Sequence, residues 1–137
     1  MALKYLIDTS VIKRLSQPAI RKVVEPLALA GDLGRATISD LEVGYSARNA
    51  AEWDDLVVAL DSFEAVATSP THIRRALQVQ RLLAERSQRG RKIPDLLIAA
   101  AAEELDLTVL HYDSDFDLIA QATNQRCQWA VPAGSVV

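Results

Sequence analysis

Residues 3–10, LKYLIDTS, join a short apolar run to an acidic residue and two hydroxyl residues. The apolar run, residues 3–7, predicts a strand. The two hydroxyl residues that follow Asp8 can cap a helix that extends to about Leu15. A strand that leads directly into a helix is the repeating unit of α/β folds, so this stretch predicts an α/β domain with a mainly parallel sheet.

The same alternation of strands and helices continues to the end of the chain. Further strands are predicted at residues 36–38, 63–67, 107–110 and 127–131. A helix is predicted from Pro18, with Pro26 kinking or dividing it. Other helices are predicted at about residues 40–47, 51–60, 70–90, 94–102 and 116–122. No linker or repeat interrupts the pattern, so we expect a single domain over residues 1–137.

The composition excludes several classes of protein. Half of the 137 residues are apolar, which is enough for a core, and the single cysteine cannot form an internal disulfide. The longest apolar runs, such as residues 96–102, are far shorter than the roughly 20 residues that cross a bilayer. No basic and apolar leader opens the sequence, so we expect a cytoplasmic protein without a membrane partner.

The charge balance at first argues against a nucleic-acid ligand. The chain has 15 basic and 18 acidic residues, a net charge of -3, whereas a protein that binds nucleic acid through its general surface is usually basic. Net charge does not show where the charges lie, however. The placement of the acids therefore has to be examined.

Five acids stand where predicted elements begin or end. Asp8 follows the first strand, and Asp113 and Asp115 follow the strand at 107–110. Glu42 and Asp95 lie in the first turns of two helices. In an open parallel sheet the ligand site lies beyond the carboxyl ends of the strands. If the two helix starts face the same crevice, four or five carboxylates share a small volume.

Such a cluster of carboxylates predicts a metal site. Carboxylates that are close together repel each other, and a hard divalent cation such as Mg²⁺ or Mn²⁺ relieves that repulsion. A cation held by acids can assist the hydrolysis of a phosphodiester bond, and either one or two cations would fit the pattern.

Each acid also has a simpler interpretation. Asp8 can cap the helix that follows it, and Glu42 stands three residues after a serine, as in a capping box. Asp95 lies in a first helical turn, where the helix dipole favours any acid. Asp113 and Asp115 can cap the helix at 116–122. The joint placement of the five acids, not any single one, indicates a site.

Four stretches of the sequence resemble the motifs of PIN domains, and the chain looks like a ribonuclease of the VapC-type toxin family. The stretches are Leu6–Val11, Ile38–Tyr45, Ile93–Ala102 and His111–Ile119. They span nearly the whole chain in the expected order. Each motif is short, but four in order make the resemblance specific.

The resemblance implies a PIN fold, which is an α/β/α sandwich with a mainly parallel central sheet. It also implies Mg²⁺ or Mn²⁺ bound by the acids and cleavage of RNA, with tRNA or rRNA as substrate. The implied partners are a second copy of the chain in a homodimer and a VapB-type antitoxin whose tail blocks the acidic pocket. Asp8, Glu42 and Asp95 match the first three acids of the family, and Asp113, with Asp115 as the alternative, matches the fourth.

Two further groups of residues stand next to the acids. Thr9 and Ser10 can orient Asp8 or a water molecule through their hydroxyl groups, or can simply cap a helix. Four cations precede Asp95 closely, and they can hold RNA phosphates or be an ordinary solvated surface. These cations are Arg86, Arg89, Arg91 and Lys92.

A non-catalytic PIN-like module that binds RNA or protein is the alternative to an enzyme. None of the four motifs lacks its acid, and this favours the enzyme. His111 stands where many members of the family have a hydroxyl residue. Because it continues a buried strand, we expect it to have a structural role.

Overall fold

The computed structural model describes residues 2–88 and 90–137. Its five strands form one sheet in the order β3-β2-β1-β4-β5, and every neighbouring pair is parallel. The strands are β1 Tyr5–Ile7, β2 Leu33–Ala36, β3 Glu64–Val66, β4 Thr108–His111 and β5 Cys127–Trp129. The predicted α/β class and parallel sheet are confirmed.

In residues 2–88 and 90–137, seven helices cover the two faces of the sheet. They are α1 Thr9–Ile12, α2 Pro18–Leu29, α3 Ile38–Tyr45, α4 Ala50–Ala59, α5 Pro70–Glu85, α6 Ile93–Glu104 and α7 Asp115–Thr123. A single 3-10 turn, Leu60–Ser62, follows α4. Among the described residues, every helix is too short or too polar to span a bilayer.

Side chains that alternate along the central strands divide the core into two layers. Leu6 and Val109 pack with apolar residues of α5, α6 and α7 on one face of the sheet. Ile7 and Leu110 pack on the other face, with residues of α1, α2 and α3. Successive residues of a strand point to opposite faces, so one short strand contributes to both layers. The result is the expected α/β/α sandwich.

The structure corrects several details of the predicted elements. The second strand lies at Leu33–Ala36, not at residues 36–38, and Ile38 is the first residue of α3. Pro26 does not divide α2, which continues through it to Leu29. Helix α5 ends at Glu85 instead of near residue 90, because the chain turns through Ser87, whose φ is +57°.

Arg35 explains why the apolar pattern does not indicate the second strand. Arg35 interrupts the apolar pattern of β2, yet its side chain is only 13% exposed and its guanidinium forms an ion pair with Asp40 at 2.7 Å. It also donates to the carbonyl oxygens of Leu60 and Phe63. A nearby carboxylate and two carbonyl groups distant in sequence therefore satisfy a charge that would otherwise be costly to bury in a strand.

Candidate metal centre

Asp8 leaves the carboxyl end of β1 and lies under the centre of the candidate site. Its backbone N–H donates to Leu110 O at 2.9 Å, which fixes it beside β4. Its carboxylate caps α1 by accepting from Ser10 N at 2.9 Å through Oδ2. The other oxygen, Oδ1, is buried and has no hydrogen-bond partner among residues 2–88 and 90–137. The capping role is therefore real, but it occupies only one of the two oxygens.

Asp95 approaches from the first turn of α6. Pro94 in that turn suits the start of a helix, and the side chain of Asp95 is buried. Its Oδ2 also lacks a hydrogen-bond partner within the described part of the chain. An unpartnered buried carboxylate oxygen is costly, and such an atom indicates a missing ligand or a bound proton.

Glu42 approaches from α3, where the predicted capping box is absent. Thr37, not Ser39, is the N-cap of α3, and it makes no side-chain capping bond. Glu42 Oε1 instead accepts a hydrogen bond from Thr9 Oγ1 at 2.9 Å. This bond links α1 to α3 and aims the carboxylate at the same cavity as Asp8.

Asp113 and Asp115 follow β4, and each pairs with a cation from the segment before α6. Asp113 Oδ1 accepts from Asp115 N at 2.9 Å, and Oδ2 accepts from Lys92 Nζ at 2.6 Å. Asp115 Oδ1 accepts from Arg91 Nη1 at 2.9 Å. Oxygen atoms of Asp95, Asp113 and Asp115 lie within 4.8 Å of one another, close enough to hold one metal ion.

Four of the five predicted acids line one cavity of about 190 Å³, which we call the acid pocket. These acids are Asp8, Glu42, Asp95 and Asp113. Asp115 is not part of the wall, although one of its oxygens lies within 4.8 Å of oxygens of Asp95 and Asp113. Asp113 therefore contacts the pocket directly, and Asp115 lies next to it.

The electrostatics of the acid pocket show an excess of negative charge. Burial raises the pKa of Asp8 and of Glu42. Burial and then the charges of Asp8 and Asp113 raise the pKa of Asp95 to about 8. Burial also acts to raise the pKa of Asp113, but Lys92 and the Asp115 amide outweigh it and hold that pKa below its ordinary value. A bound cation would stabilise the ionised carboxylates and so lower the raised pKa values.

Thr9 and Ser10 position the acids through neighbouring segments. The Thr9 hydroxyl orients Glu42, as described above. Ser10 Oγ accepts from Tyr112 N at 2.8 Å and so ties α1 to the loop after β4. The carboxylate of Asp8 accepts from the Ser10 backbone amide at 2.9 Å, and hydrogen bonding by the Ser10 side chain also acts to lower the pKa of Asp8.

The predicted basic cluster is only partly free to meet a phosphate. Arg91 and Lys92 form ion pairs with Asp115 and Asp113. Arg86 is the exposed C-cap of α5, and Arg89 lies outside the described residues.

Two cations in the wall of the acid pocket were missed from the sequence, Lys13 and Arg14. They follow α1, which ends at Ile12 after one turn instead of continuing to Leu15. Their position five and six residues after Asp8, just past a one-turn helix, was the available indication.

His111, the last residue of β4, is buried and has the expected structural role. Its Nδ1 accepts from Asp113 N at 3.2 Å, and its ring lies 5.0 Å from the rings of Phe116 and Trp129. Burial lowers the pKa of His111 to about 4. A neutral imidazole therefore supports the backbone from which Asp113 projects.

The sequence matches the profile of a known family and the sequences of several known proteins. The sequence profile of the PIN domain matches residues 5–122. Ribonuclease VapC51 of Mycobacterium tuberculosis is 68% identical over 136 residues, which are 99% of each chain. Ribonuclease VapC21 of the same species is 42% identical over 137 residues, covering 98% of this chain and 99% of the relative.

Solved structures share the fold at low sequence identity. The DNA-bound VapBC structure from Salmonella typhimurium has a TM-score of 0.75 at 16% identity and covers 94% of this chain and 99% of that chain. VapBC2 from Rickettsia felis, bound to a promoter DNA fragment, has a TM-score of 0.77 at 17% identity and covers 92% and 98%.

Proposed function

The chain belongs to the PIN-domain family, and on this premise we propose that it is a metal-dependent endoribonuclease toxin that hydrolyses RNA phosphodiester bonds. One observation carries the proposal: four carboxylates from four separate segments of the chain line one pocket, and two of them keep a buried oxygen without a partner in the described residues. The name of the 68% identical relative, a ribonuclease, supports the reaction.

The residues of the acid pocket fit a hard divalent cation. All the candidate ligands are oxygen atoms, and the unpartnered Asp8 Oδ1 and Asp95 Oδ2 offer buried lone pairs. Mg²⁺ and Mn²⁺ bind through a few carboxylates of this kind and keep some of their waters. We therefore propose that Asp8, Asp95, Asp113 and Glu42 hold Mg²⁺ or Mn²⁺, with Asp115 as an outer acid. When bound, the cation supplies Lewis-acid stabilisation of charge on phosphoryl oxygens.

The protein's own groups give this site its shape. The bond from Asp8 N to β4 and the cap on α1 hold Asp8 in one orientation. Thr9 does the same for Glu42. In our proposal Lys13 and Arg14, in the pocket wall, bind backbone phosphates of the RNA, and the exposed Arg86 adds a further phosphate contact. Arg89 is a candidate for the same role from its place in the sequence alone. Phosphate contacts of this kind position the strand without selecting its sequence.

We also propose that the chain forms a homodimer and pairs with a VapB-type antitoxin in the cytoplasm. Leu41 and Tyr45 on α3 are exposed apolar side chains, and they line a cavity that shares Lys13 and Glu42 with the acid pocket. Exposed apolar surface beside a site supports a protein partner there. The mass of the protein in solution, alone and co-expressed with the antitoxin, tests both partners.

Cleavage of RNA by the purified full-length protein tests the proposed reaction. We expect cleavage with Mg²⁺ or Mn²⁺, none in EDTA, and loss of at least about a hundredfold in rate for Asp8→Asn and Asp95→Asn, because ligand loss leaves the transition-state charge unbalanced. Asp54→Asn, on the exposed side of α4, is the matched control and should cleave normally.

The alternative function is a non-catalytic module that binds RNA or protein. It predicts binding without strand cleavage, and equal behaviour of Asp8→Asn and wild type. Cleavage that survives both EDTA and the two substitutions would contradict the metal mechanism itself. If the wild type cleaves RNA, sequencing of RNA ends from cells that express it, with Asp8→Asn as the control, identifies the substrate.

A further inference from the structure

Asp113 differs from the other acids of the pocket because both of its oxygens already accept hydrogen bonds. Its Oδ1 accepts the Asp115 amide at 2.9 Å, and its Oδ2 accepts Lys92 Nζ at 2.6 Å. Asp8 and Asp95 each keep one buried oxygen without a partner in the described residues. The Lys92 ammonium therefore occupies the Asp113 oxygen that a metal ion in the pocket would need as a ligand.

Lys92 reaches the pocket from the N-cap position of α6, three residues before Asp95. Its side chain is 59% exposed, whereas that of Asp113 is 17% exposed. A half-exposed lysine on a flexible stem that makes one ion pair gains little stability from it and can move at low cost. The ion pair therefore holds the Lys92 ammonium at Asp113 when no metal ion is bound, and a metal ion can displace it.

Arg91 does not share this arrangement. It pairs with Asp115, neither residue is part of the wall of the acid pocket, and its side chain is only 27% exposed. Lys13 lies in the wall but, among the residues that the structure describes, forms no ion pair with any carboxylate. Lys92 alone of these three both lines the pocket and contacts a candidate ligand.

We propose that Lys92 is a resident counter-ion of the acid pocket: its ammonium neutralises Asp113 until a divalent cation displaces it, and the displaced ammonium then binds an RNA phosphate beside the site. Two cations cannot share one carboxylate oxygen at close range without strong repulsion. A divalent ion gains several carboxylates at once, whereas Lys92 loses only one contact. The second half of the proposal, the phosphate contact, rests on the proposed ribonuclease function.

The proposal predicts opposite effects on metal binding and on cleavage when the lysine charge is removed. Without the competing ammonium, the acids bind a metal ion more tightly. Without the ammonium beside the RNA, cleavage at saturating metal becomes slower. A merely structural ion pair would not produce this combination, because its loss loosens the pocket and weakens metal binding.

Mn²⁺ binding to the full-length protein, measured by titration calorimetry in the absence of RNA, tests the counter-ion. We expect Lys92→Met to bind Mn²⁺ about three- to tenfold more tightly than wild type, as removal of one unit charge near a partly solvated site implies. Lys92→Arg keeps the charge and should bind Mn²⁺ like wild type. Lys13→Met is the matched control, since it removes a charge from the same pocket without breaking a carboxylate contact.

The outcomes separate this inference from the proposed function. Unchanged or weaker Mn²⁺ binding by Lys92→Met overturns the counter-ion, as does an equal gain in Lys13→Met, which would reflect only the general field. Lys92→Met should also cleave RNA about tenfold more slowly at saturating Mn²⁺, and undiminished cleavage overturns the phosphate contact. A wild type that binds Mn²⁺ but cuts no RNA contradicts the ribonuclease while the Mn²⁺ comparison still decides on the counter-ion. A wild type that binds no Mn²⁺ overturns both.

Discussion

Burial and the neighbouring carboxylates raise the pKa of Asp95 to about 8, and this shift links the stability of the metal-free protein to pH. Folded Asp95 keeps its proton up to about pH 8, whereas in the unfolded chain it ionises near its ordinary value of 3.8. The folded state therefore binds more protons between these limits, and the free energy of unfolding falls as the pH rises. His111 has the opposite sign, since its pKa is lowered from 6.5 to about 4, but it acts only below pH 6.5.

We expect the free energy of unfolding of the metal-free protein to fall by about 2 kcal/mol between pH 6.5 and 8, at roughly 1.4 kcal/mol for each pH unit. Urea denaturation in EDTA at the two pH values measures it. Asp95→Asn carries no titrating group and should show a clearly smaller fall, with higher stability than wild type at pH 8. An equal fall in both proteins would assign the effect to other groups.

The hydroxyl of Thr9 is predicted to matter because it holds Glu42, not because it caps a helix. Thr9→Val keeps the shape of the side chain but leaves Glu42 Oε1 without its donor at 2.9 Å. We expect stability to fall by about 1 kcal/mol and the rate of RNA cleavage to fall about tenfold. Thr9→Ser retains a hydroxyl and should recover most of the rate. If Thr9→Val cleaves like wild type, Glu42 needs no such orientation.

At the scale of elements, a glycine determines how closely β2 approaches its neighbours. Gly34 in β2 is buried between β1 and β3, and a Cβ there would lie 2.6 Å from Leu3 Cδ1 and 3.2 Å from the backbone oxygen of Glu64. The leucine can move, but the carbonyl of the adjacent strand cannot without shifting the pair. The pairing of β2 with β3 therefore fixes the close approach at Gly34, and the position of one side chain does not.

Gly34→Val should destabilise the protein by about 1–3 kcal/mol, the usual cost of overpacking a tight site. Thermal and urea denaturation measure the loss. Ala65→Val, on the exposed part of β3 next to it, adds the same kind of side chain where there is room and should change stability by less than about 0.5 kcal/mol. Similar losses in the two variants would show that β-branching, not crowding, is responsible.

The order of strands and helices could be predicted from the sequence because proline, glycine and capping residues mark most of their ends. The strand β2 could not, since Arg35 breaks its apolar pattern and the groups that satisfy it, Asp40 and two distant carbonyls, become neighbours only in the fold. The capping box at Ser39 failed for a related reason. The Glu42 carboxylate accepts a hydrogen bond from the hydroxyl of Thr9, which is 33 residues away in the sequence, and Ser39 is not the N-cap of α3.

The acids of the candidate site could be predicted together because strand ends and helix starts meet at one edge of a parallel sheet. Arg91 and Lys92 could be predicted to lie near the acids, but the acid with which each cation pairs could not. The pairs Lys92 with Asp113 and Arg91 with Asp115 depend on the path of the segment before α6, which has no periodic pattern. Lys13 reaches the pocket because α1 stops after one turn, and helix length is the least predictable feature of such a short element.

For the whole molecule, the net charge of -3 hides an uneven distribution. Taking the five site acids from the 18 acidic residues leaves 13, against 15 basic ones, so the rest of the chain carries +2. The negative charge is thus concentrated at one small region, while cations such as Lys13 stand in its wall. RNA approaching this region meets repulsion from the acids and attraction from the surrounding cations.

Removal of divalent metal should therefore weaken RNA binding as well as stop cleavage. We expect a short single-stranded RNA to bind at least about tenfold more tightly in Ca²⁺ than in EDTA, because Ca²⁺ takes the same oxygen ligands and cancels the local repulsion. Fluorescence anisotropy measures the affinity, and a gel shows that the RNA stays intact. Equal affinity in EDTA and Ca²⁺ would place the RNA away from the acid pocket.

The salt dependence of RNA binding in Ca²⁺ should show which cations contact phosphates. The affinity should fall as the salt concentration rises. Lys13→Ala or Arg86→Ala should each reduce the slope of log affinity against log salt concentration by about 0.7, the value for one lost phosphate contact to a single strand. An unchanged slope would show that the substituted cation does not contact the RNA.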